Sequence, residues 1–322
     1  MIRRHWPGAG LLLVLVLALV ALGAPLLAND RPLILRTSGG VSLPAAGDLP
    51  WIGRAVEQTA WTRRDWSRTV PGEVWRLPAP IAYSYRQVDL QHALAAPSAD
   101  HLLGTDSLGR DLAARLLHGA TTSVEVGVIS TLVAFVIGVL AGSLAGAAGK
   151  GVDFILSRSI EVVMCFPTFF LILTVLAFWP PSMPLLFVVI GLTRWPEFAR
   201  YVRGEVLRVR EAAFVDAARV SGAGGLRTIV LHVLPHALHP ALVVATFSVA
   251  GGMLIEAGLS FLGFGAPEPL PSWGSLLRDA QGTGHWWLIL FPGLALALAV
   301  TSVQLAGERL RDRLDPRRRT PA

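Results

Sequence analysis

Charged residues and cysteines are scarce in this chain of 322 residues. Charged side chains make up 16% of the sequence and hydrophobic side chains 53%, and Cys165 is the one cysteine. Soluble domains carry about 25% charged residues, so the composition excludes an ordinary soluble domain. A single cysteine excludes an internal disulfide bond, and the apolar run around Cys165 indicates a small packing residue rather than a reactive thiol.

Recognisable nucleotide, metal and catalytic motifs are also missing from the sequence. The Gly-Lys-Gly tripeptide at 149–151 lacks the leading glycine and the following Ser or Thr of a phosphate-binding loop. His232, His236 and His239 could bring two imidazoles together, but Pro235 interrupts that helix and no carboxylate or thiol completes a ligand set. We therefore expect no catalysis, no metal and no cofactor on this chain. If ATP drives the protein, another chain binds the nucleotide.

Long apolar runs are present instead, and they predict an all-α integral membrane protein with six transmembrane helices. The first run, residues 11–28, is longer than a signal-peptide core and follows two arginines, so we expect a first span with a cytoplasmic amino end. The second, residues 126–148, matches a hydrocarbon core of about 30 Å. In it, Gly138, Gly142 and Gly146 form a ridge that lets another helix approach closely.

Prolines and charges delimit the remaining spans. The charge-free run at 162–193 is interrupted by three prolines, which predict a hairpin of two helices. These prolines are Pro180, Pro181 and Pro184. Pro167 should kink the first helix of the hairpin, and the second should be short and end before Arg194, near the inner interface. The last two spans are residues 241–262 and 286–307. The connection at 194–235 and the tail are rich in arginine, which places these two segments on the cytoplasmic side.

The long polar segment at 29–103 lies on the far side of the membrane in this topology. It is rich in proline and glycine, nearly balanced in charge, and predicted to be a loop or a small irregular subdomain. Its four tryptophans either rest at the membrane interface or help to receive a soluble binding protein. They are Trp51, Trp61, Trp66 and Trp75.

A Gly-Thr-Asp-Ser-Leu-Gly-Arg-Asp sequence at 104–111 follows this segment. Asp106 or Ser107 could cap a helix with an apolar side and a charged side, and such a helix is expected to lie along the membrane surface. The apolar positions are Leu108, Leu112 and Leu116, and the charged ones that face elsewhere are Arg110, Asp111 and Arg115. A structural lead-in to the next span and a direct transport role both remain open.

Glu256 lies within the fifth predicted span. An acid in a membrane helix is costly, so its side chain should face protein or a watery path. A structural hydrogen bond between helices and a role in a solute pathway are the two interpretations.

The stretch at 208–235 is a charged, alanine-rich connection between long apolar segments. Residues 211–221 favour a short helix with an apolar face. The positions on that face are Ala213, Phe214, Ala217, Ala218 and Val220. Gly222 should end this helix, because glycine takes a positive φ without steric cost. A second amphipathic run at 226–234 leads to Pro235, which we expect to mark the entry to the next span.

This stretch resembles the EAA loop of binding-protein-dependent ABC importer permeases. The resemblance rests on Asp216-Ala217-Ala218, Gly222 and Leu234-Pro235, in the order and spacing of that loop. It departs in having Asp rather than Glu first, and His232 where isoleucine is usual. Further similarity to the dipeptide and oligopeptide branch lies at 104–111, 260–265, 271–274 and 310–316. The first loop, at 28–33 and 80–85, looks like the subgroup with an enlarged first loop, similar to microcin C and peptide importer permeases.

The resemblance implies a type I ABC importer permease of the bacterial inner membrane, with both termini cytoplasmic. In that family the first helix of the loop docks into a cleft of the cytoplasmic ATPase. This assigns ATPase coupling to Phe214, Asp216, Ala217, Ala218, Gly222, Leu234 and Pro235. The implied partners are a second homologous permease, two ATPase subunits that carry ATP and Mg, an extracytoplasmic solute-binding protein, a peptide-like solute and membrane lipid. Nucleic acid is not among them.

The expected organisation has four parts. They are a first transmembrane helix at 1–28, an extracytoplasmic loop and surface helix at 29–120, a permease core of five transmembrane helices at 121–307 with its coupling loop at 200–235, and a basic tail at 308–322. Two rival classes remain. An ion-coupled secondary transporter needs embedded acids or broken helices in a repeated arrangement, for which Glu256 alone is thin support. A membrane receptor or assembly protein leaves the stretch at 208–235 unexplained.

Overall fold

The computed structural model describes residues 9–49 and 73–314 as a largely helical chain. Its helices are α1 (Ala9–Leu27), α2 (Leu112–Ala147), α3 (Lys150–Met164), α4 (Thr168–Phe178), α5 (Met183–Val209), α6 (Ala213–Val220), α7 (Gly225–Thr228), α8 (Leu234–Phe261), α9 (Trp273–Asp279) and α10 (Trp286–Leu314). The described residues divide into two compact units. The first contains those of Met1–Leu11, Glu125–Glu256 and Val300–Ala322, and the second those of Leu12–Val124 and Ala257–Ala299.

Four helices in the described part of the chain are long and apolar enough to cross a membrane. They are Gly10–Leu27, Leu112–Ala147, Gly225–Phe261 and Trp286–Leu314. Helices α3 and α4 are bent by 81° and add a fifth if the pair forms one span. The mostly helical membrane fold is thus confirmed, while the six-span count and the side on which the termini lie stay predictions. The arginines before residue 9 and those after Leu314 lie outside the described residues.

The polar segment after α1 contains a small antiparallel sheet, whereas the sequence predicted a loop or irregular subdomain. Strand β1 (Ile34–Thr37) lies between β2 (Gly40–Ser42) and β3 (Glu73–Leu77). Leu35 of β1 is fully buried. Strands of three to five residues are too short for a reliable alternating pattern, which explains the miss. Trp75 lies on β3, and Trp51, Trp61 and Trp66 lie outside the described residues.

Helix α2 is continuous over 36 residues, so the prediction of a separate surface helix before the second span is wrong. The helix begins at Leu112, after Leu108. Its first turn is capped by Asp111, whose Oδ1 accepts the Ala114 N–H at 2.8 Å, rather than by Asp106 or Ser107. The charged residues expected to lie off the leucine side of that helix are buried. These are Arg110, Asp111 and Arg115.

The glycine ridge of α2 packs against α5, as predicted for a close helix approach. A Cβ atom on Gly142 would lie 2.5 Å from the Ala199 carbonyl oxygen, and one on Gly146 would lie 2.6 Å from Val206 Cγ1. Any side chain at these positions would therefore force the two helices apart.

The predicted hairpin is confirmed as α4 followed by α5, and the predicted kink at Pro167 is the break between α3 and α4. The prediction that the second hairpin helix ends before Arg194 is wrong, since α5 continues to Val209. Arg194 is buried inside α5, and its Nη1 donates to the Ser248 carbonyl oxygen at 2.8 Å. The packing role predicted for Cys165 is also wrong, because this residue is exposed in the break after α3.

Candidate functional site

The segment between α5 and α8, residues 210–233, forms the short helix α6, a glycine turn, and α7. The end of α6 follows from Gly222, which has a φ of +86°. The Gly222 N–H donates to the Arg219 carbonyl oxygen at 3.0 Å, and the Ala223 N–H donates to that of Ala218 at 3.1 Å. This is the pattern of a Schellman turn, which satisfies the last carbonyl groups of a helix. The prediction that Gly222 ends the helix is confirmed.

A single fully buried side chain, Val215, anchors α6 to the first unit. It packs in an apolar cluster with residues of α5 and α8 and of the turn before α8. The other cluster members are Val202, Val206, Val209, Val233, Ala237 and Ala241. Full burial of a valine contributes roughly 1.5–3 kcal/mol, which is enough to hold one short helix in place. The sequence analysis missed Val215 because it does not lie on the predicted apolar face.

That predicted face is exposed in the structure. Val220 is 89% exposed and Phe214 is 43% exposed, and Ala213 and Ala217 are also exposed. Across the glycine turn, Leu226 is 78% exposed. Exposed large apolar side chains that occur together are typical of an interaction surface.

Among residues 9–49 and 73–314, the charged side chains of α6 form ion pairs only with each other. Asp216 Oδ1 accepts from Arg219 Nη1 at 3.0 Å, and both side chains are mostly exposed. The Phe214 ring lies 4.9 Å from the His236 ring, which comes from the first turns of α8. Ala218 is half-buried. The exposed surface of α6 thus presents an aromatic ring and a carboxylate next to a small, flat alanine face.

A cavity of about 530 Å³ lies beside α6. Its walls combine apolar side chains with four charged ones, namely Arg210, Glu211, Asp216 and Arg219. Arg210 Nη1 donates to the Gly146 carbonyl oxygen at 2.9 Å, which ties the start of the segment to the end of α2. Helix α6 therefore rests on one apolar anchor beside open space.

Pro235 does not interrupt the helix around it, so that prediction is wrong, while its place at the entry to the next span stays a prediction. Helix α7, a π-helical turn at Ile229–Val233 and α8 form one continuous helix from Gly225 to Phe261. Leu234 and Pro235 lie in the first turn of α8. The π turn directly before Pro235 widens the hydrogen-bond ladder where proline cannot donate, so the helix passes through this position.

Glu256 is not brought together with the other predicted site residues. It is fully buried on α8, 22 residues after Leu234. At about 1.5 Å per residue, the two positions are roughly 33 Å apart along the helix. Its roles as a structural or a pathway residue stay predictions.

Comparison with known proteins identifies the family. A family model described as "Binding-protein-dependent transport system inner membrane component" matches residues 138–320, which include the whole segment between α5 and α8. The chain belongs to this family. The resemblance to ABC importer permeases noted in the sequence is thereby confirmed.

Relatives of this inner membrane component are named as peptide permeases. The chain is 36% identical over 242 residues to the dipeptide transport system permease protein DppC of Alkalihalophilus pseudofirmus, covering 74% of this chain and 80% of the relative. It is 40% identical over 225 residues to a putative peptide transport system permease protein of Brucella suis, covering 69% of this chain and 75% of the relative. It is 38% identical over 244 residues to a second putative peptide permease of Brucella suis.

Among solved structures, the chain resembles one chain of the inward-facing MetNI methionine ABC transporter. The TM-score is 0.53 at 20% sequence identity, and the match covers 62% of this chain and 96% of the other. At this identity the likeness shows the fold of an ABC transporter chain and no more.

Proposed function

We propose that this inner membrane component is one of two permease subunits of an ATP-driven importer, and that α6 couples it to the cytoplasmic ATPases. The observation that carries the proposal is the exposure of α6. Phe214, Asp216, Ala217 and Ala218, four of the residues assigned to coupling, lie on a short helix whose one buried residue is Val215, and Phe214, Asp216 and Ala217 are exposed. A helix with an exposed apolar and small-residue face suits insertion into a groove on another protein.

The proposed mechanism is alternating access. Two partner ATPase subunits bind ATP and Mg, and their closure displaces α6, which is docked in their clefts. The displacement passes through the Gly222 turn into the continuous helix Gly225–Phe261, and the spans reorient around a pathway shared with a second, homologous permease. In this arrangement the protein is a multi-pass component of the bacterial inner membrane with cytoplasmic termini and a type I importer architecture.

A peptide or peptide-like solute is the proposed cargo. The similar proteins from Alkalihalophilus pseudofirmus and Brucella suis carry names that refer to dipeptide or peptide transport. An extracytoplasmic binding protein delivers the solute in this proposal.

The test is gentle affinity purification of the chain from its native membrane, followed by mass spectrometry and reconstitution into vesicles. We expect a second permease and two ATPase chains to co-purify, and peptide uptake to require ATP inside the reconstituted system and the binding protein outside it. A chain that purifies alone and moves solute with a proton gradient would overturn the proposal in favour of a secondary transporter. Binding of solute without flux would favour a receptor.

A further inference from the structure

Four charged side chains of the second unit form a cluster that we name the Asp–Arg cluster: Asp106, Arg110 and Arg115, which are buried, and Asp279, whose side chain is 16% exposed. Asp106 Oδ2 accepts from Arg110 Nε at 2.7 Å and from Arg115 Nη1. Asp279 Oδ2 accepts from Arg110 Nη2 at 3.2 Å and from Arg115 Nη1 at 2.9 Å. Each arginine therefore bridges both carboxylates, and the four charges sum to zero.

The charge balance of the cluster matters for stability because its side chains are largely shielded from water. The Asp106 side chain is 1% exposed and the Arg115 side chain 5%. Asp106 Oδ1 also accepts the N–H groups of Leu108 and Arg110, each at 2.9 Å. Arg115 Nε is buried without an acceptor among the described residues, so the cluster is balanced in charge but not in every hydrogen bond. Removing one partner of such a cluster leaves an uncompensated buried charge, which is strongly unfavourable.

The cluster fastens one end of α9 to the amino end of α2. Asp279 is the last residue of α9, and Arg115 lies in the first turn of α2. The other end of α9 is fastened by its first residue, Trp273. The Trp273 indole N–H donates to the Leu116 carbonyl oxygen at 3.1 Å, and its backbone N–H donates to Ser123 Oγ at 3.3 Å. A helix of seven residues is thus held to α2 at both ends.

We propose that the Asp–Arg cluster positions α9 against α2 so that the two move as one rigid body throughout the transport cycle, and that its charges do not contact the solute. Separating the helices would break the two ion pairs of Asp279 at once and leave Arg110 and Arg115 with Asp106 as their shared carboxylate, one positive charge in excess. The inference rests on the ATP-driven transport proposed above. It favours the structural interpretation of the sequence at 104–111 over a direct transport role.

The first test measures a distance in the active complex. Spin labels on Ser107→Cys and Gln281→Cys, both exposed positions, are introduced in a Cys165→Ser background. We expect the same label distance in the nucleotide-free and the ATP-trapped complex. A shift larger than the width of the distribution, in a complex that transports solute with ATP, would overturn the rigid body. Absence of ATP-driven transport would instead count against the proposed function.

The second test uses charge balance. Asp279→Leu leaves a net positive cluster and Arg115→Leu a net negative one, so each should lower transport more than tenfold and broaden the label distance. The double variant keeps the balanced pair of Asp106 and Arg110 and should recover most of the activity, and Asp279→Glu should recover part of it. Arg86→Leu is the control, because Arg86 is an exposed arginine of the same unit that donates to the Tyr85 hydroxyl at 2.9 Å rather than to a carboxylate of the cluster.

Two results would contradict this test's expectation. A double variant no better than the worse single variant would show that the charges act independently, for example on the solute. Single variants that accumulate and transport normally would show that the cluster holds nothing. The single variants could also fail to accumulate in the membrane. In that case, accumulation of the double variant supports the charge-balance proposal, and failure of the double variant to accumulate overturns it.

Discussion

Asp216 of α6 and Asp106 of the Asp–Arg cluster both belong to sequences that were recognised as motifs, yet the two carboxylates have opposite surroundings. The Asp216 side chain is 63% exposed and has one ion-pair partner on its own helix, Arg219. The Asp106 side chain is 1% exposed and is held by two arginines and two backbone N–H groups. An exposed ion pair contributes about 0–1 kcal/mol, whereas breaking a buried one costs about 3–5 kcal/mol. A motif in the sequence does not show whether its acidic residue is available to a partner or stabilises the fold. The exposed fraction of the side chain distinguishes the two cases.

The largest expected effect in the segment between α5 and α8 is at Gly222. Gly222→Val places a β-branched side chain at a φ of +86°, at a cost of about 1–3 kcal/mol. We expect the Schellman turn to open and transport to fall more than about tenfold, measured as ATP-driven uptake per inserted protein.

Gly224→Val is the matched control, since Gly224 has a φ of −64° and open space around its Cβ position. It should transport normally. Equal losses from both glycine variants would mean that the turn geometry is not what coupling depends on.

A charge reversal at Asp216 tests whether α6 faces a partner. Asp216→Lys removes an exposed ion pair, so the melting temperature of the permease should hardly change. Retention of the ATPase subunits during purification should fall by roughly tenfold, because a groove that accepts a carboxylate rejects an ammonium group. Asp216→Asn should have a smaller effect, and ATPase retention that is the same in all three proteins would argue against docking of this face.

Two valine truncations should separate anchoring from docking. Val215→Ala removes two buried carbons and should destabilise the packing of α6 by roughly 1.5 kcal/mol, at about 0.8 per carbon. This should appear as faster amide hydrogen exchange in residues 213–220 of the purified permease. Val220→Ala changes an 89% exposed side chain and should leave exchange unchanged while weakening ATPase retention. If Val220→Ala speeds the exchange and Val215→Ala leaves it unchanged, Val215 is not the anchor of α6.

The smallest expected effect concerns a carboxylate of the polar segment. A hydrogen bond with His92, at 2.8 Å, lowers the pKa of Asp89 below its usual value of 3.8. A lowered pKa means that this contribution to stability is fully present above 3.8 and is lost as the pH falls through the lowered value. Thermal melts at successive pH values below 5 should therefore show a slightly shallower acid loss in Asp89→Asn than in the native protein. Identical acid limbs would show that the His92 contact contributes no stability.

Local signals in the sequence predicted much of this structure. Gly222 ended α6, the glycines of α2 met α5, and the prolines near residue 181 separated α4 from α5, because each effect is confined to a few neighbouring residues. Predictions failed where a distant partner decided the outcome. Arg194 was expected near the inner interface, but the Ser248 carbonyl group holds it inside α5. Asp279 was not singled out at all, since its arginine partners lie more than 160 positions earlier.

In the candidate site, too, local features were predicted from the sequence and features that depend on distant residues were not. The order Asp216, Gly222, Leu234 was visible in the sequence, while the anchor Val215 was not, because its burial depends on five valines and alanines drawn from α5 and α8. Pro235 was expected to stop a helix, and the π turn before it compensates for the missing N–H group. A proline rule based on regular α-helix geometry does not anticipate that compensation.

The unbroken helix from Gly225 to Phe261 gives this protein a long lever arm. Its 37 residues span about 55 Å at 1.5 Å per residue. A stiff rod of that length, tilted by about 5° at the Gly225 end, moves its far end by on the order of 5 Å. A hinge at Pro235 would have absorbed such a tilt locally. Without the hinge, a small rotation beside the glycine turn becomes a displacement as large as a side chain at the opposite end.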